Sequence, residues 1–126
     1  MNFPSDLLYT KDHEWVSLEG DILTLGITDH AQDALGDIVF FESPEVGQVI
    51  ENEEAFCVIE SVKTVSDVYS PISGEVFEVN EEVEENAEII NTDPYGKGWL
   101  VKIKFDTSDP LGLMDADEYA GFLKEG

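Results

Sequence analysis

Residues 56–69 constrain the fold of this chain more than any other part of the sequence. Residues 56–62 and 65–69 are rich in apolar and β-branched side chains, as two strands would be, so the chain must reverse near Lys63 and Thr64. Neither Asn-Gly nor Asp-Gly, the usual residues of such turns, occurs there. The sequence therefore predicts a β-hairpin that holds Lys63 at or next to its tip.

A lysine on a tight turn presents its amine at a fixed point, which suits a covalently attached group. All 6 basic residues of the chain are lysines, and Lys63 has a valine close by on either side. The alternative is a solvated turn lysine without a function. From the hairpin alone, this alternative is the favoured interpretation.

The sequence around Lys63 resembles a known family. Residues 60–74, ESVKTVSDVYSPISG, are similar to the lipoylation site of the glycine cleavage system H protein family. Three further stretches resemble the same family in the same order, namely residues 9–15, 26–39 and 91–100. Biotin carriers typically have Met-Lys-Met at the modified lysine, and the lipoyl domains of 2-oxo acid dehydrogenases have Asp-Lys-Ala. This chain has Val-Lys-Thr, so the resemblance favours the H protein family over both.

The resemblance implies a non-catalytic carrier with lipoic acid joined to Lys63 through an amide. The lipoyl group would take the aminomethyl group of glycine from a decarboxylase that uses pyridoxal phosphate and present it to an aminomethyltransferase. Dihydrolipoyl dehydrogenase would then reoxidise the group, and a lipoylating enzyme would attach it in the first place. The resemblance also implies that Glu14 and Asp67 hold the loaded arm in a surface cleft. We expect a monomer in the cytoplasm, or in the mitochondrial matrix if a presequence was removed.

The pattern along the chain is that of a mostly β protein. We expect one domain over residues 1–126, a flattened β-barrel or sandwich of the lipoyl/biotinyl-carrier (barrel-sandwich hybrid) type. Residues 99–105 alternate, with Trp99, Val101, Ile103 and Phe105 on one face, which indicates a half-buried strand. A weak repeat, residues 47–54 and 74–82, fits two similar halves that face each other.

Two helices are predicted. Residues 28–35 form a short helix, with Asp29 as its N-cap, Gln32 at the capping-box position and Gly36 at the left-handed position after its end. The second helix lies at the C-terminus, where Asp115 and Glu118 have capping-box spacing. Tyr119, Phe122 and Leu123 fall on one face of that helix and are expected to pack on the sheet.

The formal net charge of -23 restricts the partners of this chain. With 29 acidic residues against 6 basic ones, it would repel nucleic acid and anionic membranes. It would speed encounter with basic protein surfaces, and that effect would fade with salt. General solubility, or adaptation to a salty cytoplasm, explains the same charge equally well.

Other candidate sites are weak. His13 and His30 are the only histidines, and they are expected at the surface or at a helix end rather than as metal ligands. Cys57 is expected to be a small core residue.

Two alternatives to the carrier remain: a protein of the same fold that donates lipoyl groups to other proteins, and an acidic binding module without lipoate. The mass of the protein separates this module from both carriers, and a glycine-exchange assay separates the two carriers.

Overall fold

The structure, a computed structural model, describes residues 2–106 and 112–125 and consists of two β-sheets with four short helices. The nine strands are β1 (Leu8–Tyr9), β2 (Glu14–Glu19), β3 (Ile22–Ile27), β4 (Ile38–Glu42), β5 (Val49–Ile50), β6 (Ala55–Ser61), β7 (Val65–Tyr69), β8 (Gly74–Val79) and β9 (Val101–Phe105). The helices are α1 (Asp29–Leu35), α2 (Glu81–Glu85), α3 (Ile89–Thr92) and α4 (Ala116–Glu125).

The two sheets form a sandwich. One sheet has six strands in the order β1-β2-β3-β9-β8-β5, and the other has three in the order β4-β6-β7. All pairs are antiparallel, and in the described residues the sheets do not close into a barrel. The mostly β fold is therefore confirmed as a sandwich. The two copies of the weak repeat meet in this fold, because β5 pairs with β8.

The main core contains buried side chains from both sheets. In β9 the predicted alternation holds, because Val101, Ile103 and Phe105 are buried while Lys104 is exposed. The inclusion of Trp99 was wrong, since β9 begins at Val101. Trp99 instead packs against a second cluster, whose buried members are Tyr9, Trp15 and Tyr119. This aromatic cluster fastens α4 to the six-stranded sheet.

The N-cap of helix α1 lies one residue before the predicted cap. Thr28, not Asp29, is the N-cap, and its hydroxyl accepts the N–H of Ala31 at 3.2 Å. Asp29 is the first helical residue, and its carboxylate accepts from the Gln32 amide at 2.8 Å. Gly36 follows the helix with a positive φ of +78°, but its ψ of -153° lies outside the left-handed helical region that was predicted, in a conformation that glycine adopts readily.

The capping box of α4 is confirmed. The Asp115 carboxylate accepts the Glu118 N–H at 2.8 Å, and the Glu118 carboxylate accepts the Asp115 N–H at 3.2 Å. Tyr119 is fully buried and Leu123 packs against the aromatic cluster, but Phe122 stays partly exposed. The predicted apolar face therefore packs through two of its three residues. In the part of the chain that the structure describes, no helix is long and apolar enough to cross a membrane.

Candidate functional site

The β6–β7 hairpin has its tip at Val62 and Lys63. Glu60 pairs with Val65, and the Ser61 N–H donates to the Thr64 carbonyl at 2.8 Å, so the two residues between them form the turn. Val62 was expected at the end of β6, but the strand ends at Ser61. The position of Lys63 at the tip agrees with the prediction, and its side chain is exposed.

The side chain of Ser61 stabilises this turn, which contains no Asn-Gly pair. Its hydroxyl oxygen accepts the N–H groups of Lys63 at 3.3 Å and Thr64 at 3.1 Å. Neither Val62 nor Lys63 has a positive φ, so the turn needs no glycine. A serine before the turn was the local signal for this geometry.

The hairpin tip is also fastened to the body of the protein. The Val62 N–H donates to the Asp37 carbonyl at 2.9 Å, which ties the tip to the connection between α1 and β4. The carbon chain of Lys63 passes over Gly36, where an added Cβ would lie 3.4 Å from Lys63 Cε. The backbone under Lys63 is thus held at several points, while its amine remains accessible.

Glu14 is buried behind the other end of the hairpin. Only 2% of the surface of Glu14 is exposed to solvent. One carboxyl oxygen accepts the Tyr69 N–H at 2.8 Å, and the other accepts the Thr10 hydroxyl at 3.1 Å. Burial raises the pKa of Glu14 to about 8, against the lowering effect of these two hydrogen bonds, and nearby Asp12 raises it further.

A cleft of about 260 Å³ brings Glu14 and Asp67 together beside the hairpin. Asp67 lies on β7, two residues beyond Val65 and therefore about 7 Å further along the strand. The cleft has polar and apolar walls; its polar lining residues are Asp12, His13, Glu14, His30, Ser66 and Asp67. Its walls also include the last two residues of α1, immediately before Gly36. One wall of the cleft therefore ends next to Gly36, over which the carbon chain of Lys63 passes.

A second cleft, of about 400 Å³, is also lined by Glu14 and Asp12. Thr10, Ser70 and Phe122 are among its lining residues. Asp67 does not line it, and neither do the residues of α1. Of the two clefts, only the smaller one contains both residues of the predicted arm site.

The two histidines lie at the cleft, held by a contact with α4. Their rings are 4.8 Å apart, and His13 Nδ1 is 2.8 Å from the Tyr119 hydroxyl. The same hydroxyl is 2.9 Å from the hydroxyl of Thr28, the cap of α1. Burial, followed by the charge of His30, lowers the pKa of His13. In residues 2–106 and 112–125, no three His, Cys, Asp or Glu side chains are placed to hold a metal ion.

His13 has an unusual backbone conformation, with φ +67°. This left-handed conformation is uncommon for a residue other than glycine. Hydrogen bonds fix it from both sides, since the His13 N–H donates to the Thr10 carbonyl and the His13 carbonyl accepts the Thr28 N–H. No local pattern predicted that His13 would join α1 and α4 at the cleft. Cys57 is a buried core residue, as predicted.

These features define a β-sandwich that presents an accessible lysine, Lys63, on a fixed hairpin tip near a cleft, an arrangement expected of a carrier protein. The glycine cleavage H-protein family model matches residues 7–126. The chain therefore belongs to the glycine cleavage H-protein family, whose members are a carrier component of the glycine cleavage system.

Individual relatives agree with this assignment. The chain is 54% identical over 126 residues to the glycine cleavage system H protein of Halothermothrix orenii, covering 99% of this chain and 98% of that protein. It is 55% identical over 122 residues to the H protein of Rubrobacter xylanophilus, covering 97% and 95%. The crystal structure of the H protein from Mycobacterium marinum matches with a TM-score of 0.89 and 42% identity, covering 97% of this chain and 99% of that one.

Proposed function

We propose that Lys63 carries lipoic acid through an amide bond and that the protein is a lipoyl shuttle for glycine cleavage. The observation that carries this proposal is the accessible Lys63 side chain on a tip fixed by Ser61 and Asp37, within a chain of this family. The lipoyl group, when bound, supplies a strained disulfide that is readily reduced and a thiol that can carry the aminomethyl group. The residues of this chain supply a fixed attachment point, which raises the effective concentration of the arm at each partner.

The partners follow from the same proposal. The carrier takes the aminomethyl group from the decarboxylase that uses pyridoxal phosphate, presents it to the aminomethyltransferase, and is reoxidised by dihydrolipoyl dehydrogenase. A separate lipoylating enzyme supplies the arm. The protein itself has no turnover in this scheme. The bacterial sources of the relatives support a cytoplasmic location.

Mass spectrometry tests the attachment. Protein made with a lipoylating enzyme and lipoate should gain the mass of one lipoyl group on Lys63. Lys63→Arg keeps the positive charge but should block the gain, because a guanidinium is a poor nucleophile. Modification of Lys97 or Lys102 in place of Lys63 would contradict the assignment.

Glu14 and Asp67 are proposed to hold the loaded arm, whose aminomethyl end carries a cationic amine. Both carboxyl groups line the 260 Å³ cleft beside the tip, and Asp12 adds a third. A carboxylate in a partly dry cleft binds an ammonium more strongly than one in water. We expect Glu14→Gln combined with Asp67→Asn to shorten the lifetime of the isolated aminomethylated protein at neutral pH, without changing lipoylation of Lys63. Release of formaldehyde and ammonia at the rate of the parent protein would exclude these residues as the clamp.

A further inference from the structure

Four apolar side chains around Lys63 are exposed to solvent. They are Val39, Phe40, Val62 and Val65, with exposed fractions of 58%, 47%, 69% and 62%. We call these four residues the tip patch. A scattered exposed apolar residue needs no explanation, but a group placed around the one lysine of a hairpin tip indicates a contact surface.

The register of the three-stranded sheet places two residues of the tip patch, Phe40 and Val65, in one row. Phe40 on β4 pairs with Glu60 on β6, and Glu60 pairs with Val65 on β7. Residues directly opposite in an antiparallel sheet share a face, so Phe40 and Val65 lie on the same side of the sheet. An irregularity between Ile38 and Phe40 leaves both Val39 and Phe40 exposed.

Acidic residues surround this apolar surface. Glu60 lies between Phe40 and Val65, and the next row on the same face of the sheet contains Glu42 and Asp67 on either side of Val58. Lys63 is the only lysine between residues 12 and 96, and the chain has no arginine. A partner that covers the tip patch must therefore offer an apolar centre with basic groups around it.

We propose that the tip patch is the docking surface for the enzyme that acylates Lys63, and that this enzyme receives it in an apolar socket with a basic rim. The proposal rests on the proposed function. In the acylation step the amine Nζ attacks the carbonyl carbon of an activated lipoyl donor, an acyl phosphate ester or a thioester. The new amide bond forms, the bond to the activating group breaks, and Nζ loses a proton.

The acylating enzyme differs from the other partners in how close to the Lys63 backbone it must act. An acylating enzyme must bring its donor within one lysine side chain of the Lys63 backbone, so Val62 and Val65 fall inside its contact area. The decarboxylase, the aminomethyltransferase and the dehydrogenase act on the far end of the lipoyl arm and can do so without touching the tip. The tip patch is therefore expected to matter most for attachment.

The test compares patch residues with exposed residues of the same type on the other sheet. Phe40→Ala is matched by Phe77→Ala, since Phe77 on β8 is 52% exposed, and Val62→Thr is matched by Val49→Thr, since Val49 on β5 is 71% exposed. The readout is kcat/KM for lipoyl transfer to the unmodified protein, followed by mass spectrometry. We expect a fall of about tenfold for Phe40→Ala and about threefold for Val62→Thr, with both controls within about twofold of the parent.

Equal effects in the patch and control variants, or no effect in either, would overturn the proposal. Thermal unfolding of each variant separates a binding defect from a folding defect, and we expect similar midpoints within each matched pair. Each variant is also lipoylated to completion and assayed with the decarboxylase, where we expect activity within about twofold of the parent. A defect confined to the decarboxylase assay would assign the patch to that enzyme instead. A different result would reject the proposed function itself, namely a parent protein that gains no lipoyl group.

Discussion

Replacing Glu14 by glutamine should change how the stability of the fold depends on pH. Because burial raises the pKa of this carboxyl from 4.5 to about 8, the folded protein binds more protons than the unfolded chain between these two values. The free energy of unfolding therefore falls as pH rises from about 4.5 through about 8. Below this window Glu14 is protonated in both states and contributes no such dependence.

The expected size of the effect follows from the shift. One pKa unit corresponds to about 1.4 kcal/mol, so ionising Glu14 in the fold costs about 5 kcal/mol of stability above pH 8. This is a large part of the free energy of unfolding of a small protein, which is roughly 5–15 kcal/mol. Glutamine cannot ionise and abolishes this dependence. It also leaves the Thr10 hydroxyl, which already accepts two N–H groups, without its acceptor, at a cost of about 1 kcal/mol at every pH.

Urea unfolding at a series of pH values from 5 to 9, at one fixed salt concentration, measures the difference. Glu14→Gln should be about as stable as the parent at pH 5, where the two effects nearly cancel, and more stable by several kcal/mol at pH 9. The exposed Glu45→Gln variant removes one negative charge in the same way and serves as the control. If the free energies of unfolding of Glu14→Gln and the parent change with pH in parallel, Glu14 does not titrate between pH 5 and 9. That result would refute a pKa of Glu14 raised by burial.

Three further expectations concern the carrier role and the cleft. Lys63→Ala should abolish support of glycine–bicarbonate exchange by the decarboxylase and change the free energy of unfolding by less than about 0.5 kcal/mol, because its side chain is exposed. The rate of association with the decarboxylase should fall as salt rises through the physiological range, and a constant rate would assign the net charge to solubility. Tyr119→Phe should cost about 1–3 kcal/mol in urea unfolding, because it removes the hydroxyl between Thr28 and His13.

Features that depend on neighbouring residues could be predicted from the sequence. The capping box of α4 needs only Asp115 and Glu118, and the hairpin needs only the two strands around Lys63. The cap of α1 was misplaced by one residue, because Thr28 and Asp29 are both good caps and local pattern alone does not choose between them.

Helix α2 was not predicted from the sequence. Asn80 caps it by accepting the Glu82 N–H at 3.1 Å, and the glutamates of its first turn suit a helix N-terminus. Val83, fully buried, is the single apolar residue that anchors this helix to the core. One apolar residue in five gives no detectable period, so the pattern could not reveal the helix.

The contacts that build the cleft join distant parts of the chain. Tyr119 reaches His13 across 106 residues, and the Tyr69 backbone reaches Glu14 across 55. A carboxyl is expected at the surface in a chain this acidic, and the burial of Glu14 depends on how β2 and β7 meet. The resemblance supplied Glu14 and Asp67 as candidates, but only the structure shows that they line one cleft.

The burial of Glu14 is costly, and the proposed function gives it a physical reason. A surface carboxylate would bind a cationic amine weakly, because water screens both charges. A carboxyl with a pKa of about 8 is mostly neutral at pH 7 in the empty protein, and keeping it protonated there already costs roughly 3 kcal/mol of stability. An ammonium seated in the cleft favours the ionised form and displaces the proton. Glu14 is in turn bonded to the backbone of Tyr69 at the end of β7, so the group proposed to receive the loaded arm is fixed to the hairpin that carries Lys63.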